Sequence, residues 1–267
     1  MKHFLWIAAG ALILSCSQPV NYNWKFEKTI ALDSIAPVGL AVVADGFWIA
    51  DSDQNRIVKT DFSGNVLALY DDLERPMHLD YYDGTLFFPE YSSDTIRTLR
   101  DGKFAVLPIP ESPDAPAGVA MAAGVVAVAD FYNDRIIFQQ DGENKTFGKK
   151  GNAPGAFNYP TDVQWLDGKL YVADAYNHRV QVFDANGKLL QVIGESDKMN
   201  ASTGLFVNKK MLVVTDFENN RVLTYTPDGI LKNILTVHLE KPVDVFIAND
   251  KLYVANYKSK AIAVFGF

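Results

Sequence analysis

Residues 172–187 read VADAYNHRVQVFDANG. An apolar stretch ends in Asp174, the polar run Tyr176-Asn177-His178-Arg179 follows, and alternating apolar residues then lead to an Asn186-Gly187 turn. Taken alone, a tyrosine, a histidine and an arginine so close together suggest a catalytic cluster. The rest of the chain decides against it. Asp174 has counterparts at Asp51, Glu90, Asp130, Asp216 and Asn256, and in chain order the steps between the six are 39, 40, 44, 42 and 40 residues. Pro37, Pro76, Pro116, Pro160, Ser202 and Pro242 are spaced by the same five steps. Two independent markers in register over six copies establish a repeat architecture.

Every copy has one grammar. A proline opens a short apolar stretch, and a turn follows, as at Asp45-Gly46, Asp83-Gly84, Asp167-Gly168 and Asn249-Asp250. A second apolar stretch ends in the acidic marker, and a third begins after four residues. Another turn, such as Asn186-Gly187 or Asp228-Gly229, leads into a fourth. These dipeptides permit the positive φ that tight hairpins require. Proline at the first position of a strand sacrifices no ladder bond. Four short antiparallel strands in about 40 residues make one propeller blade. The fold class read from the sequence is therefore all-β, a six-bladed β-propeller with blades starting near 37, 76, 116, 160, 202 and 242. The sixth copy stops at Phe267, one strand short, and Trp24 to Leu32 alternates largely apolar and polar. That segment is expected to complete the last blade and leave no open sheet edge.

The stretch 147–194 (FGKKGNAPGAFNYPTDVQWLDGKLYVADAYNHRVQVFDANGKLLQVIG) resembles an NHL repeat. The matching features are the Gly-rich loop with Pro154-Gly155 and Phe157-Asn158, the Val172-Ala173-Asp174, the Asn177-His178-Arg179-Val180 and the Gly187-Lys188. The other copies are weaker but in register, so the resemblance extends over 24–267. It implies a six-bladed propeller and no single function, because such folds carry binding domains, sensors and enzymes.

The acidic marker plus five residues gives Arg56, Arg135, Arg179 and Arg221. Asp51, Asp130, Asp174 and Asp216 are therefore expected to bracket their loops with these arginines, a structural role, and His178 is read as a loop residue of the repeat. Blades 2 and 6 carry Thr95 and Ala261 instead. Two positions after the proline marker stand Gly39, His78, Gly118, Asp162, Gly204 and Asp244, facing the channel mouth or the next blade. An NHL-type lyase of hydroxyglycine peptides binds zinc through histidines on three innermost strands. Here the histidines beyond the leader are His78, His178 and His238, and only His78 falls on an innermost strand, so that zinc site is not expected. His78, Asp162 and Asp244 remain the candidate catalytic set. No cofactor is predicted, with a divalent ion in the channel left open. Just after the acidic marker come Tyr91, Phe131, Tyr132, Tyr176, Phe217 and Tyr257, expected to form an aromatic, ligand-binding rim.

The chain opens with a basic Met1-Lys2-His3 and an apolar run from Phe4 to Leu14, the pattern of a secretory signal. Ile13-Leu14-Ser15-Cys16 resembles a bacterial lipobox, and Cys16 is the only cysteine of the chain. Residues 1–15 are expected to be a signal peptide, 16–23 a lipidated cysteine with its tether, and 24–267 the propeller. Lipid on Cys16 would be the only membrane attachment. Ser17, rather than an aspartate, resembles the pattern that sorts to the outer membrane. Without Lys2 the balance is 24 basic to 32 acidic residues, or −8, which excludes the basic footprint of a nucleic-acid binder. The reading that follows is a monomeric, envelope-anchored lipoprotein that binds a protein, peptide or glycan through one face. The alternative is a hydrolase or lyase with its site at the channel mouth.

Overall fold

Blade 4 shows why one repeat makes four strands. The computed structural model describes residues 20–267, so the signal peptide and Cys16 lie outside the described residues. In blade 4 the strands are Pro160–Leu166, Lys169–Asp174, Arg179–Asp184 and Leu189–Ile193, hydrogen-bonded in sequence order. The first hairpin turns through Asp167 (φ 47°) and Gly168 (φ 80°), both left-handed. A type I′ turn needs that conformation, and Asp-Gly supplies it at little strain. The inner three strands are largely buried and the fourth is half-exposed, as a blade radiating from a central axis requires. Between blades 3 and 4, Phe138, Phe157, Val163, Val172 and Phe183 pack into one buried layer.

Six such four-stranded sheets close the ring. The last is completed by Lys25–Ala31, which pairs antiparallel with Ala261–Gly266 from Lys25 opposite Gly266 to Ala31 opposite Ala261. The strand expected at 24–32 is thus in place, and it joins the two ends of the described chain. Trp24 stacks on Phe267 at 4.1 Å and donates its indole N–H to Thr224 Oγ1 at 3.3 Å. Among the described residues the helical segments are short 3-10 turns, at Ser52–Gln54, Ala175–Asn177 and Glu195–Asp197.

The repeated polar residues hold loops. Arg56, Arg135, Arg179 and Arg221 each pair through Nε with their acidic marker, at 2.8, 2.6, 2.9 and 2.6 Å. The second nitrogen of each guanidinium donates to carbonyls of the loop leading into the blade, for example Arg179 to Ala153 and Ala156. In blade 2 Glu90 takes Thr95 and Arg97 instead, both at 3.3 Å. The fourth residue after each marker is left-handed: Asn55, Asp94, Asp134, His178, Asn220 and Lys260. In five blades its side chain accepts the N–H of the residue just before the next proline marker, and His178 Nδ1 does so from Ala201 at 3.0 Å. His178 is therefore an interblade latch, which carries its sequence-stated loop role one step further.

One expectation needs correcting. His78 does not lie on the innermost strand of blade 2, which begins only at Asp80. Register would set residue 78 opposite Pro89, since Asp80 faces Phe87. Pro89 has no N–H to donate, so the ladder misses a rung there and resumes where Met77 donates to Pro89 O at 3.1 Å and Pro76 bridges Glu90. The His78 amide turns to blade 3 and donates to Ala117 O at 3.1 Å.

Candidate functional site

His78, Asp162 and Asp244 come from blades 2, 4 and 6, and glycines occupy the same position in blades 1, 3 and 5. The alternation has a steric cause. A Cβ at Gly39, Gly118 or Gly204 would stand 2.4, 2.7 or 2.5 Å from a backbone carbonyl of the following blade. Even blades therefore reach the axis with side chains, and odd blades yield room to them. One ligand atom from each of the three side chains lies within 4.8 Å of the others, and all three residues are buried. The convergence demanded of a channel-mouth site is met.

The two carboxylates are held rigidly. Asp162 accepts the N–H of Val163 and, across the blade boundary, that of Leu205, both at 2.8 Å. Asp244 accepts those of Val245 at 2.8 Å and Leu40 at 2.7 Å. In blade 2 the cross-blade tie is made by Asp80, which accepts from Met121 at 2.6 Å. His78 has no such duty. Its Nδ1 is buried without a hydrogen-bond partner and stands 3.5 Å from Asp244 Oδ2. Burial opposes the imidazolium, but Asp244 and then Asp162 outweigh it, and the His78 pKa is raised. Asp162 is pushed up to about 7, chiefly by burial, with His78 pulling it down and Asp244 pushing it further up.

The aromatic rim lies on the same face, because in blades 2 to 6 the residue that opens the inner strand pairs with the acidic marker at the end of the blade, as Pro160 with Asp174. The rings do not encircle the mouth. They form one continuous arc over blades 2 to 4: Tyr91–Tyr132 at 5.7 Å, Phe131–Tyr132 at 5.2 Å, Phe131–Tyr159 at 4.7 Å and Tyr159–Tyr176 at 5.3 Å. Tyr132 and Tyr176 are 51% and 55% exposed, while Tyr91, Phe131 and Tyr159 are half-buried beneath them. Cations flank the arc, Arg75 over Tyr91 at 4.7 Å and Lys150 over Tyr159 at 5.4 Å. Phe217 and Tyr257 stand apart from it, 6.5 Å from each other and packed against the core with Val38 and Val243. Blade 1 places Ser52 at that rim position, buried and donating to Pro76 O, so the ring of aromatics is broken there.

Tyr159 was not singled out from the sequence. A signal existed, since it occupies the position before the proline marker. In blade 2 that residue's carbonyl accepts the N–H of the first rim residue, Arg75 O from Tyr91 N–H at 3.0 Å, so the two positions share the rim.

An NHL repeat is matched at residues 157–183, within blade 4 and its lead-in loop. Over 75 residues the chain is 36% identical to RING finger protein nhl-1 of Caenorhabditis elegans, a match that covers 26% of this chain and 8% of that protein. A streptogramin B lyase superposes with a TM-score of 0.66 at 18% identity, covering 91% of this chain and 98% of the lyase. Catalytically inactive virginiamycin B lyase from Staphylococcus aureus, solved with quinupristin, gives 0.66 at 15% identity, covering 92% and 100%. A chain of a nidogen/laminin complex gives 0.65 at 17% identity, covering 81% and 87%. Identities this low speak for the fold alone. The chain is a six-bladed β-propeller in which one NHL repeat is matched, at residues 157–183.

Proposed function

We propose that the propeller is a binding module that takes a protein or peptide against the arc Tyr91, Phe131, Tyr132, Tyr159 and Tyr176. The observation that carries this reading is the continuity of the rings over blades 2 to 4, with the two outermost about half exposed. Tyrosines bury large area at small entropic cost and are frequent binding hot spots. The half-buried rings beneath hold the exposed ones in place, which lowers the ordering cost of association. Arg75 and Lys150 at the flanks favour a ligand with acidic residues beside its apolar ones. The nidogen/laminin neighbour supports a protein ligand as the kind of occupant this fold accepts.

Peptides selected from a random library on the immobilised full chain provide the test. Their affinities are then measured for wild type and for the triple variant Tyr132→Ala/Tyr159→Ala/Tyr176→Ala. The expected result is a loss of tenfold or more, against no change for Leu67→Ala on the outer edge of blade 1. Equal binding by the triple variant refutes the reading. We further infer lipid on Cys16, which rests on the Leu14-Ser15-Cys16 signature, and attachment at a bacterial outer membrane, which rests on Ser17 after it. Membrane fractionation of cells making Cys16→Ser checks it, and unchanged membrane retention rejects it.

A second reading is a lyase or hydrolase at the channel mouth, favoured by the convergence of His78, Asp162 and Asp244. Catalysis there requires a substrate to reach residues that are 3%, 4% and 5% exposed. Turnover of quinupristin, followed by mass spectrometry, separates the two readings: product that disappears in Asp162→Asn establishes the enzyme, and unchanged substrate favours the binding module.

A further inference from the structure

We propose that the axis of the propeller holds one divalent transition-metal ion, ligated by His78, Asp162 and Asp244. The first support is geometric. Three blades spaced alternately around the ring each send one donor to the axis, and the donors lie within 4.8 Å of one another. Ligands about 2.0–2.2 Å from a zinc-sized ion stand roughly 3 to 3.5 Å apart, so the three close inward by an ångström or so on binding.

The second support is the state of His78. A buried imidazole nitrogen normally finds a partner, because without one its lost hydration is not repaid. Nδ1 of His78 has none, and it faces Asp244 Oδ2 at 3.5 Å. The interblade tie that Asp162 and Asp244 make in their blades is made in blade 2 by Asp80, so the imidazole is free of that duty and its near neighbour is the Asp244 carboxylate. An ion on the axis supplies the partner.

The third support is preparation of the carboxylates. Each oxygen of Asp162 and Asp244 accepts one backbone N–H, which fixes the orientation and leaves a second lone pair on every oxygen. Hydrogen bonds of this kind behind a ligand are what orient metal sites. Charge also balances: two carboxylates, a neutral imidazole and a divalent ion sum to zero in a buried place where net charge is expensive. One nitrogen and two carboxylates, the carboxylates on strands, suit Zn2+ or Mn2+ better than Ca2+, which takes six to eight oxygens. The ion would cross-link blades 2, 4 and 6, and so pin the face that carries the aromatic arc. This inference stands independently of the ligand proposed for that arc.

The test uses the full chain, purified in detergent and stripped with EDTA. Zn2+, Mn2+, Ca2+ and Mg2+ are added singly, with bound metal measured by mass spectrometry after desalting and stability by thermal melting. The expected result is one equivalent of Zn2+ or Mn2+ and a melting temperature raised by about 5–10 °C at a hundredfold excess over Kd. Ca2+ and Mg2+ leave the melt unchanged. His178→Asn/His238→Asn retains the site, whereas His78→Ala and Asp162→Asn each lose tenfold or more in affinity. Failure of wild type to hold any stoichiometric ion overturns the proposal, as does an equal response to all four ions. Should His78→Ala not fold, the wild-type selectivity and the Asp162→Asn titration decide.

Discussion

Gly118→Ala tests the steric logic of the axis. The glycine is the third residue of the first strand of blade 3, Pro116–Ala122, and an added Cβ would stand 2.7 Å from Thr161 O, 2.8 Å from Asp162 Cα and 3.3 Å from Val163 N. All three are backbone atoms of blade 4, so no flexible side chain can swing aside. Gly118 is not among the residues with positive φ, and alanine meets no conformational strain there. The whole effect is therefore overpacking, at about 1–3 kcal/mol. For a chain of this size each kcal/mol moves the melting temperature by about 2–4 °C, which gives a loss of roughly 2–12 °C. Gly142→Ala is the matched control: its Cβ would meet nothing within 4 Å, but φ is +85°. That variant costs about 1–2 kcal/mol, the strain of a left-handed alanine alone. Differential scanning fluorimetry ranks the two, and a crystal structure of Gly118→Ala should show Asp162 displaced outward. A Gly118→Ala melt within about 1 °C of wild type, or a structure of that variant with Asp162 undisplaced, refutes the argument that glycine at this position makes room for the next blade.

His178 should be replaceable by asparagine and not by alanine. Asn55 and Asn220 already make the same latch in blades 1 and 5, and asparagine tolerates the left-handed conformation found at His178 (φ 59°). Thermal melts are expected to place His178→Asn at or above wild type, and His178→Ala lower by about 1 kcal/mol for the lost hydrogen bond; equal losses would assign His178 some other duty. Asp80 carries a pH dependence. Burial pushes its carboxyl from 3.8 up to about 6, with the Met121 N–H pulling it back. A group whose folded pKa is raised stabilises the fold in its protonated form, and that contribution is lost as pH rises from about 4 through 6. Two pKa units correspond to about 3 kcal/mol, discounted to roughly 1–2 because the side chain retains some contact with solvent. Asp80→Asn should thus match wild type at pH 4 and exceed it at pH 8, and urea midpoints that fail to diverge between those pH values would contradict this.

What the sequence discloses here depends on whether a residue acts within its own repeat or between repeats. The brackets at Asp51–Arg56, Asp130–Arg135, Asp174–Arg179 and Asp216–Arg221 were legible because both partners sit in one copy, five residues apart, and recur. The closing strand was legible because the sixth copy lacked one and the N-terminal segment had the right alternation. Blade 2 departs from the pattern through a single proline. Pro89 removes the donor opposite residue 78, and His78 leaves the inner strand for a place between strands. The rim was half legible. Position after the acidic marker fixed which residues reach the face, but exposure depends on the neighbour, and Phe217 and Tyr257 found core to pack against where Tyr132 and Tyr176 did not. The triad shows the same division most clearly. Read down the chain, Gly39, His78, Gly118, Asp162, Gly204 and Asp244 alternate strictly, yet the separations of 84 and 82 residues between the polar members hide any relation. Closure of the ring turns alternation into threefold convergence, since every second blade meets the axis at about 120° to the last. A small residue at one copy and a donor at the next is therefore a signal for an axial site in any even-bladed ring, and it is readable before a structure exists once the repeats are aligned. It predicts which side chains meet; that His78 Nδ1 meets no hydrogen-bond partner and stands 3.5 Å from Asp244 is revealed only by the folded geometry.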